Sequence, residues 1–559
     1  METTSRVLMK ASLLIGTLAL AVQVRAQSAP RADLVLHNGK IVTLDNANHI
    51  FSTIVISDGK IVAIGDESLV RNYRSTRTID LRGRMVMPGF IDSHTHIWGY
   101  GRREIDLSRV RSIRELQDSV RAKARLVGAG AWITGRAWAE DNFAEHRLPT
   151  RADLDAATTT NPVQLIRAGG HSSVSNSAAL RIAGIDRATA QPTAGMIEHD
   201  PAGEPTGIIR ERNDLVLRHI PPVTAAERRP SLVQTLRDQL ALGITSIIQA
   251  GANSRGSADD RPDWPEWVRV YASYRGQLPR AAVQIYWRGV DDLVKFGKRP
   301  GDGDAWLRVG PLKLLVDGGF TGPSAYTKHP YKGMADFRGT LNLSPDSLYR
   351  VVRAAHALGW QMGFHAIGDS AIEITAHVFD RVLRESPKAN HRNYINHFTV
   401  LPSDATLDMM ARDSILVTTQ PNFTYTLEER YSQLLEGDRL ARNNGMASPM
   451  RHGVFVAMSS DILPIGPMIG VYAAISRKGK SGTVYGLDEA IPIIDALRAY
   501  TRNGAFLTRE EHLKGTLEVG KFADLIVLSR DLLTIPPEQI LDTQVMITVL
   551  NGKVVFERR

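Results

Sequence analysis

Short apolar runs, separated by longer mixed stretches, dominate the middle of the chain. Eight have strand length and few charges: 86–92, 245–249, 282–287, 312–316, 361–364, 394–396, 415–419 and 454–458. Continuous apolar runs of this kind fit strands buried on both faces, as in a parallel sheet. Helical periodicity lies between most of them. In the clearest case Ser344 caps a helix that opens on Pro345. Leu348, Val351, Val352, Ala355 and Leu358 form its apolar face, and Gly359 ends it. Strand and helix alternating eight times predict an α/β fold, a (β/α)8 TIM barrel. Residues 99–223 are too many for one crossover and are expected as an insertion over the barrel mouth, holding one strand-like run at 163–167.

The two ends read differently. Asn38-Gly39 and Asp58-Gly59 sit between β-branched runs, and Asn551-Gly552 does so near the C-terminus. Each pair predicts a tight hairpin. The ends are expected to join in one small flanking β-sandwich, 27–85 with 506–559, around a barrel domain at 86–505.

Composition narrows the function. The 559 residues are 43% apolar and 23% charged, and the formal net charge is +9. Basic residues alternate with acidic ones, as in Arg102-Arg103-Glu104-Ile105-Asp106, with no basic tract, so a nucleic-acid partner is not expected. Cysteine is absent, which excludes disulfides, thiolate ligands and a cysteine nucleophile. At the N-terminus Arg6 and Lys10 precede the apolar run 11–22, and small residues end it at Val24-Arg25-Ala26. That is a signal-peptide pattern, too short for a spanning helix. Cleavage after Ala26 is expected, giving a periplasmic or secreted protein with no membrane contact in its mature form.

Candidate chemistry begins at His94-Thr95-His96, at the end of the first run. Residues i and i+2 of a strand face one way, so two imidazoles converge there as half of a divalent metal site. Met87-Pro88-Gly89-Phe90-Ile91-Asp92-Ser93-His94-Thr95-His96 resembles the first-strand signature of the amidohydrolase superfamily. Later motifs, including Gly515-Thr516-Leu517-Glu518-Val519-Gly520-Lys521-Phe522-Ala523-Asp524-Leu525, are similar to its amidohydrolase-3 branch, which includes N-substituted formamide deformylases.

The resemblance implies the rest of a site at the strand ends. Alternation turns Lys313 toward the barrel interior, where a lone ammonium is costly. The resemblance gives it the role of a carboxylated lysine bridging two metals; an ion pair with Asp317 is the structural alternative. His365 and His397 are implied as ligands of a second metal. Asp461 is implied as metal ligand and as the carboxylate that takes a proton from water and passes it to a leaving nitrogen. Tyr394-Ile395-Asn396-His397 departs from the family pattern, which has glutamate where Asn396 stands. Glu211, in Pro205-Thr206-Gly207-Ile208-Ile209-Arg210-Glu211, competes with Lys313 as the bridge. His171 is a candidate to reach a substrate carbonyl. Phe320, Tyr326, Phe423 and Tyr425 are candidate pocket walls. The implied cofactor is a divalent metal, two zinc ions, and the implied reaction is hydrolysis of a small-molecule, amide-like carbon–nitrogen bond. Ester or lactone hydrolysis, or a barrel that only binds, are the alternatives.

Overall fold

A computed structural model describes residues 29–558 apart from 100, 141–142, 168–171, 193–194, 256–261, 322 and 463. The expected leader 1–26 and His171 lie outside the described residues. Each of the eight apolar runs overlaps a strand, that at 312–316 only in its first two residues: β1 Phe90–Thr95, β2 Ile244–Ala252, β3 Arg280–Tyr286, β4 Leu307–Lys313, β5 Gly363–Ala366, β6 Tyr394–His397, β7 Leu416–Thr419 and β8 Val456–Met458. They form two parallel sheets, β1-β2-β3-β4 and β5-β6-β7-β8. Parallel bridges link the sheet edges, Leu312 to Met362 and Leu315 to His365 on one side and Thr95 to Asp461 on the other. Ile248, Ala282, Tyr394, Leu416 and Ala457, drawn from five strands, meet in one buried cluster between the sheets. With every neighbour parallel, the carboxyl ends of all eight strands open on one face.

The helix after β4 is Pro345–Ala357, and Ser344 Oγ accepts from Ser347 N at 3.3 Å. Its face of Leu348, Val351, Val352 and Ala355 is buried. Gly359, at φ +79°, sits where the helix stops.

The first apolar run is two strands, not one. Met85–Pro88 leaves the parallel sheet and pairs antiparallel with Leu525–Leu528, Met87 against Ile526. Gly89 is the corner. Its N–H donates to Asp524 O at 3.0 Å, and a side chain there would run into Thr245.

Both ends meet in one six-stranded sheet, which runs from Lys553–Glu557 through Val545–Leu550, Leu525–Leu528, Met85–Pro88 and Lys40–Val42 to Ile50–Phe51. A four-stranded sheet of Lys60–Gly65, Thr53–Ser57, Arg31–His37 and Arg74–Asp80 shares its core, including Leu34, Ile56, Val86 and Val527. Asp58-Gly59 and Asn551-Gly552 turn two-residue hairpins with both residues at positive φ. Asn38-Gly39 does not. The strands on either side of it belong to different sheets, and Gly39 packs against Leu81 where any side chain would collide.

Arg280, the first residue of β3, ties this sheet to the parallel strands. Its guanidinium donates to both Asp524 oxygens, at 2.6 and 3.2 Å, and to Asn551 Oδ1 at 3.1 Å, between the rings of Trp306 and Phe522.

Residues 99–223 hold more than one strand. Six strands from Glu104–Asp106 to Pro205–Arg210 make a mixed sheet with its own apolar cluster around Leu107, Leu116, Val163 and Leu165. No described helix is long and apolar enough to cross a membrane.

Candidate active site

The carboxyl ends of β1, β4, β5, β6 and β8 bring one cluster together. His94 lies in β1 and His96 just past it; Lys313 ends β4, His365 lies in β5 and His397 ends β6. Asp461 follows β8. Ring centroids are 5.3 Å apart for His94 and His96, 4.7 Å for His94 and His397, and 4.3 Å for His365 and His397. Lys313 Nζ is 3.3 Å from His94 Nε2, and Asp461 Oδ1 is 3.3 Å from His96 Nε2. Ligand atoms of His94, His96 and Asp461 all fall within 4.8 Å of one another.

The backbone sets this up. Asp461 N–H donates to His94 O at 2.9 Å, and Thr95 Oγ1 donates to Asp461 O at 3.0 Å. Asp461 and His397 both stand at positive φ, +59° and +76°, which turns their side chains out of strand alternation toward the cluster. Asp92 is not a ligand. Its buried carboxylate accepts from Ser460 N at 3.1 Å and ties β1 to the segment after β8.

The donor set fits a divalent metal. His397 Nδ1 is bound to Gln420 Oε1 at 2.9 Å, while its Nε2 is buried with no hydrogen-bond partner among the described residues. His94 Nδ1 and Asp461 Oδ1 are buried and equally without one. Burial, with the Lys313 charge beside it, pulls His94 well below the usual imidazole range and His365 down to about 3. Burial and the His365 ring do the same to His397. All three are therefore neutral imidazoles, the form that binds metal. Burial pushes Asp461 up to about 7, against the opposing pull of Lys313.

Asp317 shapes the loops. It accepts from Tyr326 N, Ile367 N and Gly368 N at 2.9–3.0 Å, and its carboxylate is 3.6 Å from His365 Nε2. Asn396 has a structural reason to differ from the family glutamate. Its Nδ2 donates to Gly363 O at 2.8 Å, the carbonyl that Gln284 also reaches at 3.1 Å, and an ionised glutamate has no proton to give. Glu211 is exposed just past Pro205–Arg210 in the separate sheet and is not among the described residues that line the cavity, whereas Lys313 lies against His94.

A cavity of about 310 Å³ opens above the cluster. Phe320 and Phe423 line it as anticipated, but Tyr326 and Tyr425 are half-buried against the main core. Trp98, Tyr286 and Tyr431 also form its walls. Trp98 stands in the loop after β1, Tyr286 ends β3 and Tyr431 lies in the helix Glu428–Leu434, with no motif to mark them.

Residues 77–556 match the Amidohydrolase family. The chain belongs to that family. It is 29% identical over 536 residues to "Putative amidohydrolase YtcJ" of Bacillus subtilis, covering 94% of this chain and 99% of that one. It is 27% identical over 548 residues to the N-substituted formamide deformylase of Arthrobacter pascens, covering 94% and 98%. Among solved structures, an uncharacterized metal-dependent hydrolase from Pyrococcus furiosus superposes with a TM-score of 0.70 at 25% identity, covering 90% of this chain and all of that one. Family and structural likeness together make this chain a metal-dependent hydrolase with an α/β fold of mixed sheets.

Proposed function

We propose that this protein hydrolyses carbon–nitrogen bonds other than peptide bonds in small neutral molecules. The observation that carries the reading is the meeting of four histidines, Lys313 and Asp461 at strand carboxyl ends beneath a cavity. The eight parallel strands and their bridged edges support a (β/α)8 barrel, whose chemistry sits at that end. We also propose a barrel domain at 86–505 carrying the 99–223 sheet as an insertion, and a β-sandwich built from 27–85 and 506–559.

His94, His96 and Asp461 would hold one zinc ion and His365 and His397 a second, with a carboxylated Lys313 between them. Bound there, the metals supply Lewis acidity and make water acidic enough to attack near neutral pH. Asp461 takes the proton of the attacking water and delivers it to the leaving nitrogen. An amine leaves only once protonated, and Asp461, beside His96 at the mouth of the cluster, is the carboxylate placed for both transfers. The described cavity walls away from the cluster carry no charged side chain, so a substrate carboxylate or ammonium would be buried without a partner. Among the alternatives, an ester or lactone would meet the same groups but has no need of a proton delivered to nitrogen.

The test is metal analysis of purified protein with a hydrolysis screen across N-formyl and longer N-acyl amines, N-acyl amino acids, cyclic amides and lactones. Zinc near two per chain and turnover of neutral amides are expected. Turnover of lactones alone would reassign the bond, and zinc binding without turnover of any class would favour a binding protein. We propose that residues 1–26 direct export. Protein from an exporting host should begin at Gln27 by intact mass, and a mass that retains 1–26 refutes cleavage.

A further inference from the structure

Four buried side chains form one line of hydrogen bonds between the β8 backbone and His397. Ser93 Oγ lies 2.6 Å from Met458 O, and Thr418 Oγ1 lies 2.5 Å from Ser93 Oγ. Ser459 Oγ follows at 3.2 Å from Thr418 Oγ1 and 3.3 Å from Thr419 O. Gln420 Nε2 is 2.8 Å from Ser459 Oγ, and its Oε1 is 2.9 Å from His397 Nδ1. Ser93, Thr418, Ser459 and Gln420 have no exposed surface.

A hydroxyl has one proton to give, and a carbonyl only accepts. Ser93 therefore gives its proton to Met458 O. Thr418 must then donate to Ser93, so its own proton is committed. Ser459 can donate to Thr418 or to the Thr419 carbonyl; if it gave its proton to Gln420 instead, neither of those contacts would carry one. The shape of a glutamine amide does not tell its nitrogen from its oxygen, but the arrangement that satisfies most of this line does. In it the NH2 of Gln420 faces Ser459 and its oxygen faces His397.

We infer that Gln420, oriented by this relay, is a positioning residue that fixes His397 as its Nδ1–H tautomer and presents a bare Nε2 to the metal. The one atom of that ring without a hydrogen-bond partner among the described residues is Nε2. The inference rests on the reading of His397 as a metal ligand.

Zinc affinity of the metal-free protein, measured by competition with a chromophoric chelator, reads the tautomer without any turnover. Gln420→Met keeps bulk but leaves Nδ1 without an acceptor, and the ion held by His397 should bind about tenfold to a hundredfold more weakly, the usual range for losing such a support. Gln420→Glu still accepts the Nδ1 proton and should restore affinity to within about threefold of native. Ser459→Ala frees the amide to turn over and should weaken binding by several-fold with Gln420 still in place. A purely structural role would lower the melting temperature of these variants while sparing zinc affinity. Gln420→Met binding zinc like the native protein, or Gln420→Glu binding no better than Gln420→Met, overturns the inference. If Gln420→Met does not fold, unchanged affinity in Ser459→Ala does so. His397→Ala separates the two readings. Unchanged zinc affinity there removes His397 from the ligands and the inference with it. A loss there with none in Gln420→Met removes the inference alone.

Discussion

Asp461→Asn isolates the proposed proton transfer from the architecture around it. The backbone of Asp461 is held independently of its carboxylate, through its N–H on His94 O and the Thr95 hydroxyl on its carbonyl. Its φ of +59° lies where Asp and Asn are enriched over other side chains, so Asn keeps the main chain where Ala would add strain. Asn also keeps an oxygen within reach of His96 Nε2, at the position of Asp461 Oδ1. What it loses is the ability to take a proton. General-base catalysis is worth about a hundredfold to ten-thousandfold, or about 3–5 kcal/mol of barrier at 1.4 kcal/mol per decade. The variant should therefore fold normally with kcat lower by about a hundredfold or more. Zinc per chain should fall much less, because the histidines and Lys313 remain. The assay is kcat on the best amide of the screen for both proteins, alongside melting temperature and metal content. Turnover close to native would refute the assignment. Complete loss of metal would make Asp461 chiefly a ligand.

Lys313→Ala should lower zinc content and activity together, with partial recovery on adding short carboxylic acids; full metal occupancy in the variant would move the bridge to another residue. Gly368→Ala would push a methyl into the Tyr326 carbonyl, beside the Asp317 contact, and should cost about 1–3 kcal/mol in denaturant unfolding. A melting temperature equal to native would show that the two loops give way freely. Glu489 predicts a pH effect. Burial alone would raise its pKa, but hydrogen bonds from Ser448 and Arg442 outweigh it and hold the folded value below the ordinary 4.5. Its contribution is then complete above pH 4.5 and lost as pH falls through the lower folded value. Glu489→Gln should cost about 1.5–3 kcal/mol at pH 7, with the gap from native closing below pH 4.5; a gap that widens in acid would reverse the sign.

Much of the parallel core was legible because buried strands read as unbroken apolar runs, so polar residues at their ends stand out. His94 and His96 were visible in that way, whereas His365, His397 and Asp461 were named through the resemblance to the family. The corner at Gly89 was not, since both strands it joins are apolar and only the approach of Thr245 separates them. The sheet within 99–223 was mostly hidden because strands such as Ser172–Ser175 are polar and short, and its order brings distant segments together. The relay from Ser93 to Gln420 was invisible for a related reason. Ser93 sits 325 positions from Thr418, and each member alone is an ordinary polar residue in a strand or just past one. Tyr326 and Tyr425 show the reverse error. An aromatic near a strand end reads as a pocket wall, yet these two are half-buried against the core.

The pairing of Met87 with Ile526 has a consequence for how the chain is made. The flanking sheet cannot close until nearly the whole polypeptide exists, and a loop of over four hundred residues costs about 5 kcal/mol in closure entropy by the logarithmic law. Until Leu525–Leu528 arrives, Met85–Pro88 presents an unpaired, wholly apolar edge. Synthesis halted before residue 525 should therefore yield a product that aggregates rather than a smaller enzyme. The last strands act as the clasp of the molecule, and the Arg280–Asp524 pair fastens only when that clasp closes.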